Sequence, residues 1–152
     1  MEEQLIKIKI PLPANDPSGG EAEWVWAYPE ENNIFSLRNV PTFAKGLSYG
    51  DSVKTSIEDG VPVFEQVVRR GGHSTYRIYA KTSRESPEVL SVIKTLKDMH
   101  CDMEPATNRI MNVDVLPEAD IYAVYKVMDD AERAGILEFE EGFCGHQLRS
   151  NA

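Results

Sequence analysis

The sequence predicts an α+β protein, an N-terminal small β-barrel or bent antiparallel sheet followed by a ferredoxin-like βαββαβ half. Three observations carry that expectation. Residues 1–72 show period-two alternation and frequent turn residues with no helical periodicity. Residues 73–145 run strand, helix, strand, strand, helix, strand, the order of a split βαβ unit. The chain has 152 residues, 41% apolar and 27% charged, which is the balance of a globular protein able to build a core without staples.

In the first half, "IKIKI" sets Ile6, Ile8 and Ile10 against Lys7 and Lys9, as a half-buried strand requires. "PLPANDPSGG" reads as a loop by its Pro, Asn, Asp and Gly content. "AEWVWAYP" is a strand with Trp24, Trp26 and Tyr28 on one side, and the two tryptophans are expected in the barrel core. "NNIFSLRNV" follows across a polar turn as a hairpin partner. "GLSYGDSVKTSIEDGVPVFEQVVRRGG" supplies two further strands, turning at Glu58-Asp59-Gly60. Five or so short strands with regular turns favour a small barrel.

In the second half, "STYRIYAK" is a strand with Tyr76, Ile78 and Ala80 on one face. A helix follows, with Ser86 as N-cap, Pro87 at its first position and Glu88 in the first turn, and with Val89, Val92, Ile93, Leu96 and Met99 on one face. "CDMEPA" and "NRIMNVDVLP" form strands around a turn near Thr107-Asn108. In the second helix Ile121, Val124, Tyr125, Met128, Ala131 and Ala134 are expected to face inward, with Gly135 as the stop. "ILEFEEGF" is the last strand, and residues 146–152 read as a loose tail. Met111, Val113, Val115, Leu137 and Phe139 join Tyr76, Ile78 and Ala80 beneath the helices. Thr75, Arg77, Tyr79, Lys81, Asn112 and Asp114 then share the opposite sheet face, meeting the barrel or water, with Arg77 and Asp114 as a cross-strand ion pair.

Charge narrows the functional classes. The chain carries a net charge of −9, yet "QVVRRGGHSTYRIYAKTSR", residues 66–84, contains five Lys or Arg, one His and no acid. Glycines can aim consecutive N–H groups at one anion, so "RRGGHST" is the candidate small-anion site. Its residues are Arg69, Arg70, Gly72, His73, Ser74, Thr75 and Arg77, with Asp51, Tyr79 and Asp114 nearby. His73 is the candidate acid or base. A Gly-Gly turn joining two strands is the competing and commoner explanation.

Nucleic acid is not expected as a partner. Duplex affinity comes from cations, and the open sheet face would add Asp102, Glu104, Glu138 and Glu140 while offering one stacking aromatic, Tyr79. No window approaches a membrane span, and "MEEQLIKIKIPLP" lacks an apolar signal core, so a cytoplasmic location is expected. No metal or cofactor is expected. His100, Cys101, Cys144 and His146 lack paired-ligand spacing, and Cys101 and Cys144 would lie at opposite sheet edges. Cys144 with His146 as nucleophile and base lacks a visible orienting partner.

The segments "EWVWAYPEENNIFSLRNVPTFAKGLSYGDSV" and "VVRRGGHSTYRIY" resemble the bacterial family called domain of unknown function 4265. The resemblance rests on Trp24 or Trp26, Asn39, Pro41, Phe43, Ala44, Gly46, Leu47, Gly50, Asp51, Val53, Gly72, His73, Thr75 and Arg77, with Thr42 as a departure between Pro and Phe. That family carries no established activity, so it implies no mechanism. The functional expectation is a non-catalytic binding or regulatory protein, of immunity type for example, docking on a basic protein partner. The alternative is a small enzyme or sensor for a phosphorylated or carboxylated metabolite at Arg69–Arg77.

Overall fold

A computed structural model of the chain describes residues 4–16 and 19–149. Met1 to Glu3, Pro17 and Ser18 in the first loop, and residues 150–152 of the expected tail lie outside the described residues. The strands β1 (Ile6–Pro11), β2 (Ala22–Glu31), β3 (Ile34–Leu37), β4 (Ser52–Glu58) and β5 (Val61–Arg69) form a closed barrel. Neighbours run antiparallel, and the ring closes where β1 meets β5 in parallel at Lys9 and Val63. The β4–β5 turn places Asp59 at φ 52° and Gly60 at φ 79°, both in the left-handed region that a tight hairpin turn requires.

The remaining elements are β6 (Ser74–Ala80), α1 (Pro87–Lys97), β7 (Cys101–Pro105), β8 (Ile110–Val115), α2 (Ile121–Arg133) and β9 (Leu137–Phe143). Their strands pair in the order β7-β8-β6-β9, all antiparallel, which is the ferredoxin-like order. Pro87 opens α1 after Ser86, although the Ser86 side chain makes no capping bond. Asp120 does cap α2, accepting from the Tyr122 and Ala123 amides at 3.0 and 3.3 Å.

Two hydrophobic cores form and stay separate. Ile8, Ile10, Val25, Ala27, Leu37 and Val53 fill the barrel. Tyr76, Ile78, Val89, Leu96, Val113, Val124, Met128 and Leu137 fill the space between sheet and helices. Burying each such side chain contributes about 1.5–3 kcal/mol.

Three expectations about facing are corrected. Trp24 and Trp26 are 49% and 43% exposed, because Val25 and Ala27 are the inward residues of β2. The barrel interior is already filled by Ile8, Ile10, Phe35, Leu37 and Val53, and the indoles stand outside, where Lys7 lies 5.1 Å from the Trp26 ring centre. Tyr125 is 47% exposed and Ala134 is exposed, since the buried stripe of α2 is Ile121, Val124, Met128 and Ala131.

Barrel and sheet meet closely at the chain crossing between β5 and β6. A Cβ on Gly71 would lie 2.6 Å from the Gly50 carbonyl oxygen, so only glycine fits there without movement of the backbone. Gly71→Ala is expected to cost about 1–3 kcal/mol by overpacking. For a chain of this size that is a fall in Tm of several degrees. An unchanged Tm would show that the approach of Gly50 to Gly71 is looser than described.

Candidate functional site

The segment between β3 and β4, residues 38–51, carries no regular structure and lies between the two cores. Its polar backbone groups are satisfied partly by backbone, as at Arg38, Gly46, Gly50 and Asp51, and partly by side chains. Glu23 accepts from the amides of Thr42, Phe43 and Ala44, and Glu104 accepts from the Val40 amide at 3.1 Å. Arg77, on the barrel-facing side of β6, is 1% exposed. Its Nη2 donates to the carbonyls of Ala44 at 2.8 Å and Pro41 at 3.3 Å, and its Nη1 to Glu140 at 3.1 Å. Beside it, Thr75 Oγ1 donates to the Leu47 carbonyl and meets Ser48 Oγ at 2.7 Å, while Asn112 Nδ2 donates to Thr42 Oγ1. The sheet face thus does meet the barrel side, but the expected Arg77–Asp114 pair is corrected. Cross-strand register puts Asn112 opposite Arg77 and Asp114 opposite Thr75, so Arg77 pairs with Glu140 of β9 instead.

The "RRGGHST" turn does not gather its expected residues around one point: Arg70 and the Gly71 amide meet the chain's own Asp51, while Arg69, His73, Ser74, Thr75 and Arg77 each bind a different partner. The Asp51 carboxylate, 1% exposed, accepts from the Gly71 amide and the Ser48 amide, and from Arg70 Nη1, each at 3.0 Å. Arg70 also donates to the Gly46 carbonyl and stacks 3.9 Å from the Phe143 ring centre. Arg69 binds Glu30 at 2.6 Å. Gly72 takes φ +87°, as its position in the turn demands. Tyr79 lies near the far end of β6 from the turn and donates to Glu140 at 2.7 Å; burial and that bond push its hydroxyl up to about 12.

His73 Nδ1 lies 2.7 Å from Asp114 Oδ1, an orienting carboxylate of the kind a general base uses. The hydrogen bond to Asp114 raises the His73 pKa above 6.5 against the opposing effect of burial, with Asp114, Asp51 and Glu118 adding attraction. Burial likewise raises Glu104, against the Val40 and Asn39 bonds that lower it. His146 has a different role from the one imagined for it. Its Nε2 donates to the Leu116 carbonyl at 2.8 Å, so Nδ1 accepts from Ser74 Oγ at 2.6 Å. Ser74 is 0% exposed and its oxygen also accepts the Gly145 amide, so this Ser–His pair ties the end of β9 to β6 and has no access for a substrate. The tail is accordingly held through Arg149, whose amide donates to Tyr122 Oη. Cys101 is buried, with its thiol pushed up to about 12 by burial, and both cysteines are free. Among the described residues no group of three or more His, Cys, Asp or Glu is placed to hold a metal ion. No helix is long and apolar enough to cross a membrane, among the same residues.

A second site was not foreseen. Between α2 and β9 lie two adjoining cavities of about 360 and 330 Å³, sharing Tyr125 and Glu141. Their walls bring Tyr122 and Tyr125, both exposed, beside Asp129, Glu132 and Glu140. Glu141 accepts from Tyr76 Oη at 2.8 Å and Glu132 from the Phe139 amide at 3.0 Å. Both donors are neutral, so among the described residues these two carboxylates have no ion-pair partner, whereas Asp129 and Glu140 beside them pair with Arg133 and Arg77. The available signal was "DIYAVY" beside "EFEE", which places tyrosines three apart on a helix next to an acidic strand.

Two predictions follow from the junction. Arg77→Met leaves the Pro41 and Ala44 carbonyls without this donor and Glu140 with Tyr79 alone, at a cost of about 3 kcal/mol or more. Chemical denaturation is expected to show that loss, with Arg77→Lys recovering only part, because an ammonium lacks the planar fork. His73 has its folded pKa raised, so its stabilisation is complete below about pH 6.5 and is lost as pH rises through the folded value. Glu104, also raised, acts in the same direction from about pH 4.5 upward. Tm is therefore expected to fall with rising pH above 6.5 in the wild type and to fall less in Asp114→Asn. Equal slopes would contradict the pairing.

Known proteins fix the kinship of the chain. A solved structure described as a hypothetical protein from Neisseria gonorrhoeae is similar over 97% of this chain and 100% of that one, with TM-score 0.81 and 17% sequence identity. At that identity the likeness is one of fold. No curated protein matches the chain. The family model for domain of unknown function 4265 matches residues 23–139, spanning the barrel from β2, the junction and the sheet into β9, and the chain belongs to that family.

Proposed function

We propose that this chain is a non-catalytic binding protein that docks a basic protein partner on the acidic, tyrosine-lined groove between α2 and β9, as an immunity-type protein would. One observation carries the reading: Glu132 and Glu141 flank exposed tyrosines and, among the described residues, receive hydrogen bonds from neutral donors only. Aromatic rings with nearby unpaired carboxylates attract cationic side chains. The net charge of −9 adds long-range steering toward a basic surface. The densest positive stretch, by contrast, is engaged by the chain's own Asp51, Glu30 and Glu140.

A second reading, a phosphorylated or carboxylated metabolite at Arg69, Arg70, Gly72, His73, Ser74, Thr75 and Arg77, is favoured by one feature, the carboxylate-oriented imidazole of His73. Such a ligand would have to displace Asp51 from the Gly71 amide and Arg70.

The two are separated by paired measurements. A fluorescent peptide of mixed Lys and Arg is expected to bind the wild type, to weaken with added salt, and to lose roughly tenfold in affinity, or about 1.4 kcal/mol, with Glu132→Gln/Glu141→Gln. Glutamine keeps the acceptors for Phe139 and Tyr76 while removing the charge. Unchanged affinity in the double variant, together with a phosphate-induced rise in Tm that Arg70→Gln abolishes, would replace the docking reading with the metabolite one.

A further inference from the structure

The smaller cavity, about 330 Å³, is lined by Tyr76, Ile121, Tyr122, Tyr125, Cys144 and Leu148, with Glu141 at its edge. That volume lies near the lower end of ligand pockets, the size for a side chain and not for a large cofactor. Its rings are fixed in orientation. Tyr125 packs edge-on against Tyr76 at 6.5 Å and against Phe139 at 5.4 Å, and Tyr76 is anchored by its bond to Glu141.

One cation already touches this wall. The Arg149 guanidinium lies 4.1 Å from the Tyr122 ring centre, and Leu148 beside it lines the cavity. The tail thus places a guanidinium on the rim of the cavity that Tyr76, Tyr125 and Glu141 help to line. From this we infer that the cavity is a receptor for an arginine side chain of the basic partner, and that Arg149 competes with it for the tyrosine wall. This inference rests on the docking reading above.

Arginine suits the site better than lysine. A guanidinium is planar and weakly hydrated, so it stacks on an aromatic face and offers a flat fork to a carboxylate such as Glu141. An ammonium is a compact and strongly hydrated point charge, and it gains less from a ring-lined recess. Selectivity for arginine over lysine therefore marks the cavity itself, whereas attraction to charge alone marks only the acidic rim.

The test uses the full chain and two labelled probes, hexa-arginine and hexa-lysine, in the same buffer. Hexa-arginine is expected to bind the wild type at least about fivefold more tightly than hexa-lysine. The preference should vanish in Tyr125→Leu, an exposed position whose folding is checked by near-UV circular dichroism. Arg149→Gln, on the surface, should raise the affinity for hexa-arginine severalfold by removing the competitor. Equal binding of the two peptides, with Glu132→Gln/Glu141→Gln still weakening both, would leave the docking groove standing and overturn the arginine receptor. An unaltered or weaker affinity in Arg149→Gln would also overturn it. Binding of neither peptide would remove both readings.

Discussion

The guanidinium of Arg77 lies between a barrel and a sheet that keep separate hydrophobic cores. It is nearly inaccessible to water, and it donates to two carbonyls of the 38–51 segment and to Glu140 across the sheet. The two Nη groups are matched in the way that a buried charge requires, while Nε is buried with no partner among the described residues. The junction is therefore polar and directional where most contacts between layers are apolar. Glu23, Glu104 and Asp51 serve the amides of the same segment, so an irregular stretch is held by side chains from β2, β7 and its own end. The residues behind the family resemblance converge here. Asn39, Pro41, Ala44, Gly46, Leu47, Asp51, Gly72, Thr75 and Arg77 all lie along this seam, and most contribute a hydrogen bond or a close approach to it.

This constraint settles what the charged groups are free to do. Arg70 and the Gly71 amide surround a carboxylate, the arrangement expected of an anion site, but the carboxylate is Asp51. The buried charged residues among those described are Asp51, Asp114 and Arg77, so the outer surface keeps most of the net charge of −9. On α2 and β9 that surface combines acids with rings, since the inward stripe of the helix is taken by Ile121, Val124, Met128 and Ala131 and the tyrosines fall outside it.

Much of the architecture was legible in the chain because it depends on period and punctuation. The alternation in "IKIKI", the Asp59-Gly60 turn, and Pro87 after Ser86 each act locally, and each element appears where its pattern places it. Errors arose where volume or register decides. Trp24 and Trp26 alternate correctly, but alternation does not say which face is inside, and the narrow barrel accepts Val25 and Ala27. Arg77 was placed on the right face, while its partner depended on a register that sets Asn112 opposite it. The filling of the "RRGGHST" turn by Asp51 is a contact across 20 residues, which no local pattern carries. Tyr125 continues the apolar spacing of α2, yet the buried positions of the helix are Ile121, Val124, Met128 and Ala131.

The central claim is that the positive turn is a structural seam and that the proposed docking surface is the acidic groove between α2 and β9. The most direct measurement follows backbone amide resonances of the isotopically labelled chain during two titrations, one with inorganic phosphate and one with hexa-arginine. The account predicts that phosphate leaves Gly71 to Thr75 unmoved, while hexa-arginine shifts resonances around Tyr122, Tyr125 and Glu141. Saturable phosphate shifts at Gly71, Gly72 and His73, with the α2–β9 resonances silent toward the peptide, would contradict it.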